Sequence, residues 1–232
     1  MSRLFAVTGG LLFVVSLLFA AFAFATWFGE ARPWSFDLAW RATLVDVALF
    51  TIFALHHSLF ARSGLKSLVE RVWPPALERS LYVWVASALF LLTCGLWQAV
   101  PGVLWRTSGT ARTLMIAGQL IAAAFTLVAA GRLDVLDLAG LRTAADPARA
   151  ALRHVDDTGP YGLVRHPIYL GWLGMVWLSP TMTGTRLVFA ATSCLYLLIA
   201  IPFEERDLRR TFGDAYARYA TRVKWRLVPF VH

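Results

Sequence analysis

Four stretches of this chain run for about twenty residues almost without charge: roughly 4–28, 38–60, 79–97 and 112–131. A helix needs about 20 apolar residues to pass the ~30 Å hydrocarbon layer of a bilayer. No water is present there to pair a free backbone N–H or C=O, so only helices and closed barrels can span it. A barrel requires sustained period-two alternation, and the chain has none. The fold class that remains is all-α, a polytopic helical membrane protein. Two further apolar runs, 168–178 and 187–203, flank Ser179-Pro180-Thr181-Met182-Thr183-Gly184. They read as a C-terminal helical hairpin whose first arm is short for a span. About six membrane segments result, followed by a cytoplasmic helix over 204–219.

Composition agrees. The 232 residues are 58% hydrophobic and 16% charged, against about 25% charged in soluble domains. A net charge of +8 would point to nucleic acid in a soluble protein. Here the cations sit in loops and in the tail, where membrane orientation and anionic lipid headgroups account for them. No nucleic-acid partner is expected. Cys94 and Cys194 both fall within apolar runs, and two isolated thiols make neither a disulfide framework nor a metal site. The first run is too long for a signal peptide and reads as a retained span.

The cations are one-sided. Arg62, Lys66, Arg71 and Arg79 fill one loop, and Arg132, Arg142, Arg149, Arg153 and Arg165 another. Arg206, Arg209, Arg210, Arg218, Arg222, Lys224 and Arg226 fill the tail. With six crossings all three groups share one side, which the positive-inside rule makes cytoplasmic. Both termini are then inside, in what would be a bacterial inner membrane. Residues 62–73 set Arg62, Lys66 and Arg71 against Leu65, Leu68, Val69 and Val72, the pattern of an interfacial helix.

Chemistry concentrates after the longest polar loop, in Gly159-Pro160-Tyr161-Gly162-Leu163-Val164-Arg165-His166-Pro167-Ile168-Tyr169-Leu170-Gly171. Pro167 suits the first turn of a helix, where its missing N–H has no partner to lose. His166 then stands at the helix entrance, beside free amides that favour an anion. The plain alternative is an interfacial helix start with a snorkelling arginine and an interfacial tyrosine. Farther on come Glu204-Glu205-x-x-Leu208 and Phe212-Gly213-x-x-Tyr216-x-x-Tyr219.

Together, Gly-x-Tyr-x-x-x-Arg-His-Pro-x-Tyr-x-Gly and Glu-Glu-x-x-Leu-x-x-x-Phe-Gly-x-x-Tyr-x-x-Tyr resemble the integral-membrane methyltransferases typified by isoprenylcysteine carboxyl methyltransferase and the phospholipid methyltransferases. The resemblance implies S-adenosylmethionine as cofactor. It carries cofactor contacts onto Tyr161, Arg165, His166, Pro167, Tyr169, Glu204 and Glu205, and onto His154 and Val155 within a preceding segment, Arg153–Asp156. Glu205 has an equally good reading as a solvated or capping residue, and Tyr216 and Tyr219 read as structural. In the isoprenylcysteine enzymes an arginine one turn before the cofactor glutamate contacts the substrate; here that position is Ala200. On this view 1–232 is one methyltransferase domain, with four spans in 1–131 and the cofactor loop, hairpin and tail helix in 132–232.

The front half resembles a narrower group. His57-Ser58-Leu59-Phe60-Ala61-Arg62, Glu78-Arg79-Ser80-x-Tyr82-Val83, Pro101-Gly102-x-x-Trp105 and Pro180-Thr181-Met182-Thr183 are similar to the bacterial methanethiol S-methyltransferases and to NnrU-type proteins. The resemblance implies methylation of a small thiol to give dimethyl sulfide. Because the thiolate is the nucleophile, a base helps, and His57 or His56 supplies an imidazole on a neighbouring span. These histidines also admit a metal contact or a plain interfacial role. Three rivals remain: the same cofactor with a lipid or other hydrophobic acceptor, a non-catalytic NnrU-like membrane component, and a sterol-reductase-like enzyme using NADPH. The cation count yields a test. Reporter fusions at Gly29 and Gly109 are expected outside and one at His232 inside; an external C-terminus would contradict the orientation.

Overall fold

A computed structural model describes residues 2–60, 69, 71–133, 141 and 155–231. Its helices are α1 (Ser2–Ala25), α2 (Phe36–Phe60), α3 (Pro75–Gly95), α4 (Gly109–Arg132), α5 (Pro160–Leu163), α6 (Pro167–Trp177), α7 (Gly184–Phe212) and α8 (Asp214–Arg222). Two short strands, β1 (Val103–Arg106) and β2 (Thr181–Thr183), pair with each other. Segments this brief carry no alternation that marks them as strands in a sequence. Of the interfacial helix expected over 62–73, residues 69 and 71–73 are described, and 71–73 form a turn rather than helix; the rest of it, like His154, lies outside the described residues.

Among the described residues, five helices, α1 to α4 and α7, are long and apolar enough to cross a membrane. Their outward faces are lipid-like: Leu4, Leu11, Leu18 and Phe22 on α1, Leu38 and Leu55 on α2, and Leu120, Ile121 and Leu127 on α4 are all exposed. A soluble protein rarely leaves so continuous an apolar surface in water. The chain is an all-α integral membrane protein.

The chain divides into two compact units that interleave in sequence. In the first, residues 2–103 and 183–189, α3 packs between α1 and α2. Phe28, Phe50, Trp97 and Phe189 form its aromatic core, with Trp97 and Phe28 centred 5.2 Å and 5.4 Å from Phe189. Arg186 is buried and donates to the carbonyls of Phe24 (2.6 and 3.0 Å) and Ala25 (3.3 Å), the orphan acceptors that end α1. Asp46 is wholly buried within α2 and accepts the Gln98 amide at 2.7 Å.

The second unit, residues 104–133, 155–182 and 190–231, holds the hairpin and the tail. Helix α6 has 11 residues, about 16 Å at 1.5 Å per residue, or half a bilayer core. It lies against the middle of α4, with Gln119 Nε2 donating to the Met175 carbonyl at 2.7 Å. The passage is completed by extended chain: Trp105 Nε1 donates to Ser179 O at 2.9 Å and Thr107 N to Pro180 O at 2.8 Å. Extended backbone at this depth is tolerated because its polar groups are buried in protein and paired. This explains why the fifth apolar run is short.

The tail departs from expectation. Helix α7 runs unbroken through Pro202 to Phe212, and a separate helix begins only at Asp214. Pro202 removes one helical hydrogen bond, but unwinding a helix at a membrane boundary would free several. The break falls instead at Gly213, whose φ of 51° suits glycine.

Close approach of α6 to α4 positions the motif at the α6 entrance. A β-carbon at Gly171 would overlap Thr126 Oγ1 and lie 2.9 Å from Ala122 O. Small residues let membrane helices approach in this way. Gly171→Val is therefore expected to lower the thermal midpoint in detergent by several degrees, about 1–3 kcal/mol of overpacking. An unchanged midpoint would show that this contact does not hold α6.

Candidate functional site

The site builds up from the α6 entrance. Gly159, with φ of 55°, caps the short helix α5, and Pro160 opens it. Tyr161 follows, and Val164 is fully buried. Arg165 and His166 then pass beside the C-terminal segment. Arg165 N donates to Trp225 O and His166 N to Arg226 O, both at 2.9 Å. His166 is the N-cap of α6 with Pro167 in its first turn, and no side chain caps the helix.

Side chains converge on two adjacent acids. On a helix, neighbours point about 100° apart, and Glu204 and Glu205 separate accordingly. The Glu204 side chain is 43% exposed and Glu205 only 5%. Tyr169 donates its hydroxyl to Glu204 Oε2 at 2.7 Å, and His166 Nδ1 lies 3.6 Å from the same oxygen. The His166 and Tyr169 rings stack, 5.4 Å apart and 7° from parallel. Behind them, Glu205 Oε1 meets Arg165 Nε at 2.8 Å and His166 Nε2 at 3.5 Å, and Oε2 meets Arg226 Nε at 3.5 Å. The solvated alternative for Glu205 does not apply: it is the buried acid. Arg226, which had only counted toward orientation, belongs to this cluster. The Lys224-Trp225-Arg226 segment carried no signal for this, because its closest links to the motif are backbone carbonyls.

Tyr216, Tyr219 and Val223 form a buried cluster with Val155, Leu208, Phe212 and Ala220 against it. Tyr219 donates to the Tyr161 carbonyl at 2.9 Å. Burial raises the phenol pKa of Tyr161, and the carboxylates of Glu204 and Asp156 raise it further. Beside this lies an open depression of about 520 Å³ lined by Gly131, Arg132, Val155, Asp156, Asp157 and Thr158. Thr158 donates to Asp156 Oδ1 through both its amide (3.0 Å) and its hydroxyl (2.8 Å). Arg132 meets Asp156 Oδ2 at 3.0 Å and also bonds Thr158, and Arg222 pairs with Asp157.

The second unit thus brings together Val155, Tyr161, Arg165, His166, Pro167, Tyr169, Glu204 and Glu205. The histidine pair lies in the other unit, at the end of α2. Tyr82 Oη is 2.8 Å from His57 Nδ1 and 3.4 Å from the His57 carbonyl. His57 stacks on Phe53 at 5.5 Å and His56 on Phe60 at 4.6 Å.

Comparison with known proteins places this polytopic helical membrane protein in the methyltransferase class. The chain is 39% identical over 200 residues to methanethiol S-methyltransferase 2 of Bradyrhizobium diazoefficiens, covering 82% of this chain and 74% of that protein. It is 37% identical over 191 residues to the methanethiol S-methyltransferase of Pseudomonas deceptionensis (78% and 71%). It is 35% identical over 198 residues to that of Mycobacterium tuberculosis (83% and 80%). No family model and no solved structure matches the chain. The chain belongs to the methanethiol S-methyltransferase family, and it is a methyltransferase.

The loop at Asp156 yields a pH test. Burial pulls its carboxyl pKa up, but the Thr158 hydrogen bonds and the Arg132 guanidinium outweigh this and hold it below the usual value. A depressed folded pKa contributes stability above the unfolded value, about 3.9; that stability is lost as pH falls through the folded one. Amide protection of 155–163 should therefore fall below about pH 4, and Asp156→Asn should remove the transition. A transition unchanged in Asp156→Asn would assign it elsewhere.

Proposed function

We propose that this protein transfers the methyl group of S-adenosylmethionine to methanethiol, giving dimethyl sulfide, as one membrane methyltransferase domain. Both termini and the cofactor site face the cytoplasm of a bacterial inner membrane. The observation that carries the reading is the convergence of His166, Tyr169 and Glu204 at a helix entrance, in a chain whose relatives bear the name methanethiol S-methyltransferase.

S-adenosylmethionine supplies an electrophilic methyl group on a sulfonium, along with an ammonium, a carboxylate, a ribose diol and an adenine. The residues present fit these groups. Glu204 is half-exposed and held by Tyr169, a carboxylate suited to a cationic group. The Tyr161 and Tyr169 rings suit a sulfonium or ammonium through their faces. The α6 amides behind His166 and Pro167 favour a carboxylate. Val155 and Asp156 border a depression of about 520 Å³, within the roughly 300–1,000 Å³ of small-ligand pockets. Arg165 and Glu205 stand behind this surface.

Most of the acceleration in an in-line methyl displacement comes from holding the partners in line. The acceptor thiol is mostly protonated near neutral pH, so we assign its proton to His57, with His56 as the other candidate. Tyr82 orients the His57 ring through Nδ1. A base in this role contributes roughly 10²–10⁴-fold. A small neutral thiol needs no anchoring cation, which agrees with Ala200 where the prenylcysteine enzymes hold arginine.

Membranes carrying this protein are expected to release dimethyl sulfide into the headspace when given methanethiol and S-adenosylmethionine. Glu204→Gln and Tyr169→Ala should weaken cofactor binding about ten- to a hundredfold, the loss of one charge-assisted hydrogen bond. His57→Ala should slow turnover at unchanged cofactor affinity, less so as pH approaches the thiol pKa. Cofactor binding with methylation of extracted lipids and no dimethyl sulfide would replace the thiol acceptor with a lipid one.

A further inference from the structure

We infer that Glu205 is a positioning residue and that Arg226 completes the cofactor site: Glu205 ties the α6 entrance to the C-terminal segment, which thereby holds Arg165 and His166 in place. This rests on the donor site proposed above. Both Glu205 oxygens are already engaged, Oε1 by Arg165 and His166 and Oε2 by Arg226. The side chain is 5% exposed, and Arg165 only 8%. The carboxylate itself is buried, so a cationic group of the cofactor could reach it only by displacing one of these arginines, and displacing Arg165 would leave a buried charge uncompensated, which is costly. The outward acid, Glu204, meets no arginine among the described residues.

What Glu205 does is visible in where its partners lead. Arg165 also donates from Nη1 to the Ala220 carbonyl at 3.3 Å. The backbones of Arg165 and His166 bond the carbonyls of Trp225 and Arg226. Tyr219 bonds the Tyr161 carbonyl. Residues 219–226 therefore grip the motif through its backbone, and the Glu205–Arg226 pair is the charged link that draws the segment in. His166 keeps the N-cap conformation that presents its ring beside Tyr169 because its amide is held from this side.

The test is a double-mutant cycle in lipid nanodiscs with two readouts: calorimetric affinity for S-adenosylmethionine, and hydrogen exchange of 159–170 without cofactor. Glu205→Gln and Arg226→Gln are each expected to weaken binding about tenfold and to speed exchange at Arg165 and His166. The double variant should be no worse than the poorer single one, and Arg226→Lys should recover most of the affinity. Glu204→Gln should weaken binding without changing exchange. Additive losses, or exchange as slow as wild type in both single variants, would overturn the inference. If wild type fails to bind the cofactor, the donor reading falls, and exchange alone still decides whether Glu205 and Arg226 hold the entrance.

Discussion

A buried carboxylate next to a bilayer must be matched, and the second unit of this protein is arranged around the match at Glu205. Removing a charge from water costs several kcal/mol even after relaxation. That cost is tolerable only with cations held at close range. Arg165 comes from the α6 entrance and Arg226 from the last residues of the chain, so satisfying one acid brings two distant segments together. The adjacent acid, one residue earlier on the same helix, is thereby turned outward. One side of α7 is buried structure, and the other is open to the chemistry proposed for it.

The same division runs through the hairpin. Helix α6 is short because only its first half needs to be a helix. Its entrance is an uncapped N-terminus, and its body brings Gly171 close to Ala122 and Thr126. The remainder of the passage is extended and pairs with the chain before α4. A straight apolar helix of twenty residues would have crossed the membrane equally well without making room for the β1–β2 pairing.

The long spans were legible because hydrophobic length is a property of composition, and α1, α2, α3 and α4 fall within a few residues of the runs that foretold them. His166 and Pro167 were legible because proline reports its own backbone geometry. Glu205 was harder. Two successive glutamates look alike in sequence, and only the phase of α7 decides which of them is buried. The continuity of α7 past residue 203 was not legible either, since the change from apolar to charged residues marks the end of a hydrophobic run and not the end of a helix. Arg226 was hidden because Trp225 and Arg226 reach the motif through carbonyls that every residue has. His154 and most of the loop before it lie outside the described residues, so their assignment still rests on resemblance alone.

The reaction proposed for this constellation carries a methyl group from S-adenosylmethionine to a small thiol. It is tested most directly with purified protein in lipid nanodiscs, given methanethiol and S-adenosylmethionine carrying a deuterated methyl group, by following the label with mass spectrometry. The deuterated methyl is expected to appear in dimethyl sulfide. Label recovered in the lipids, or retained wholly on the donor, would contradict it.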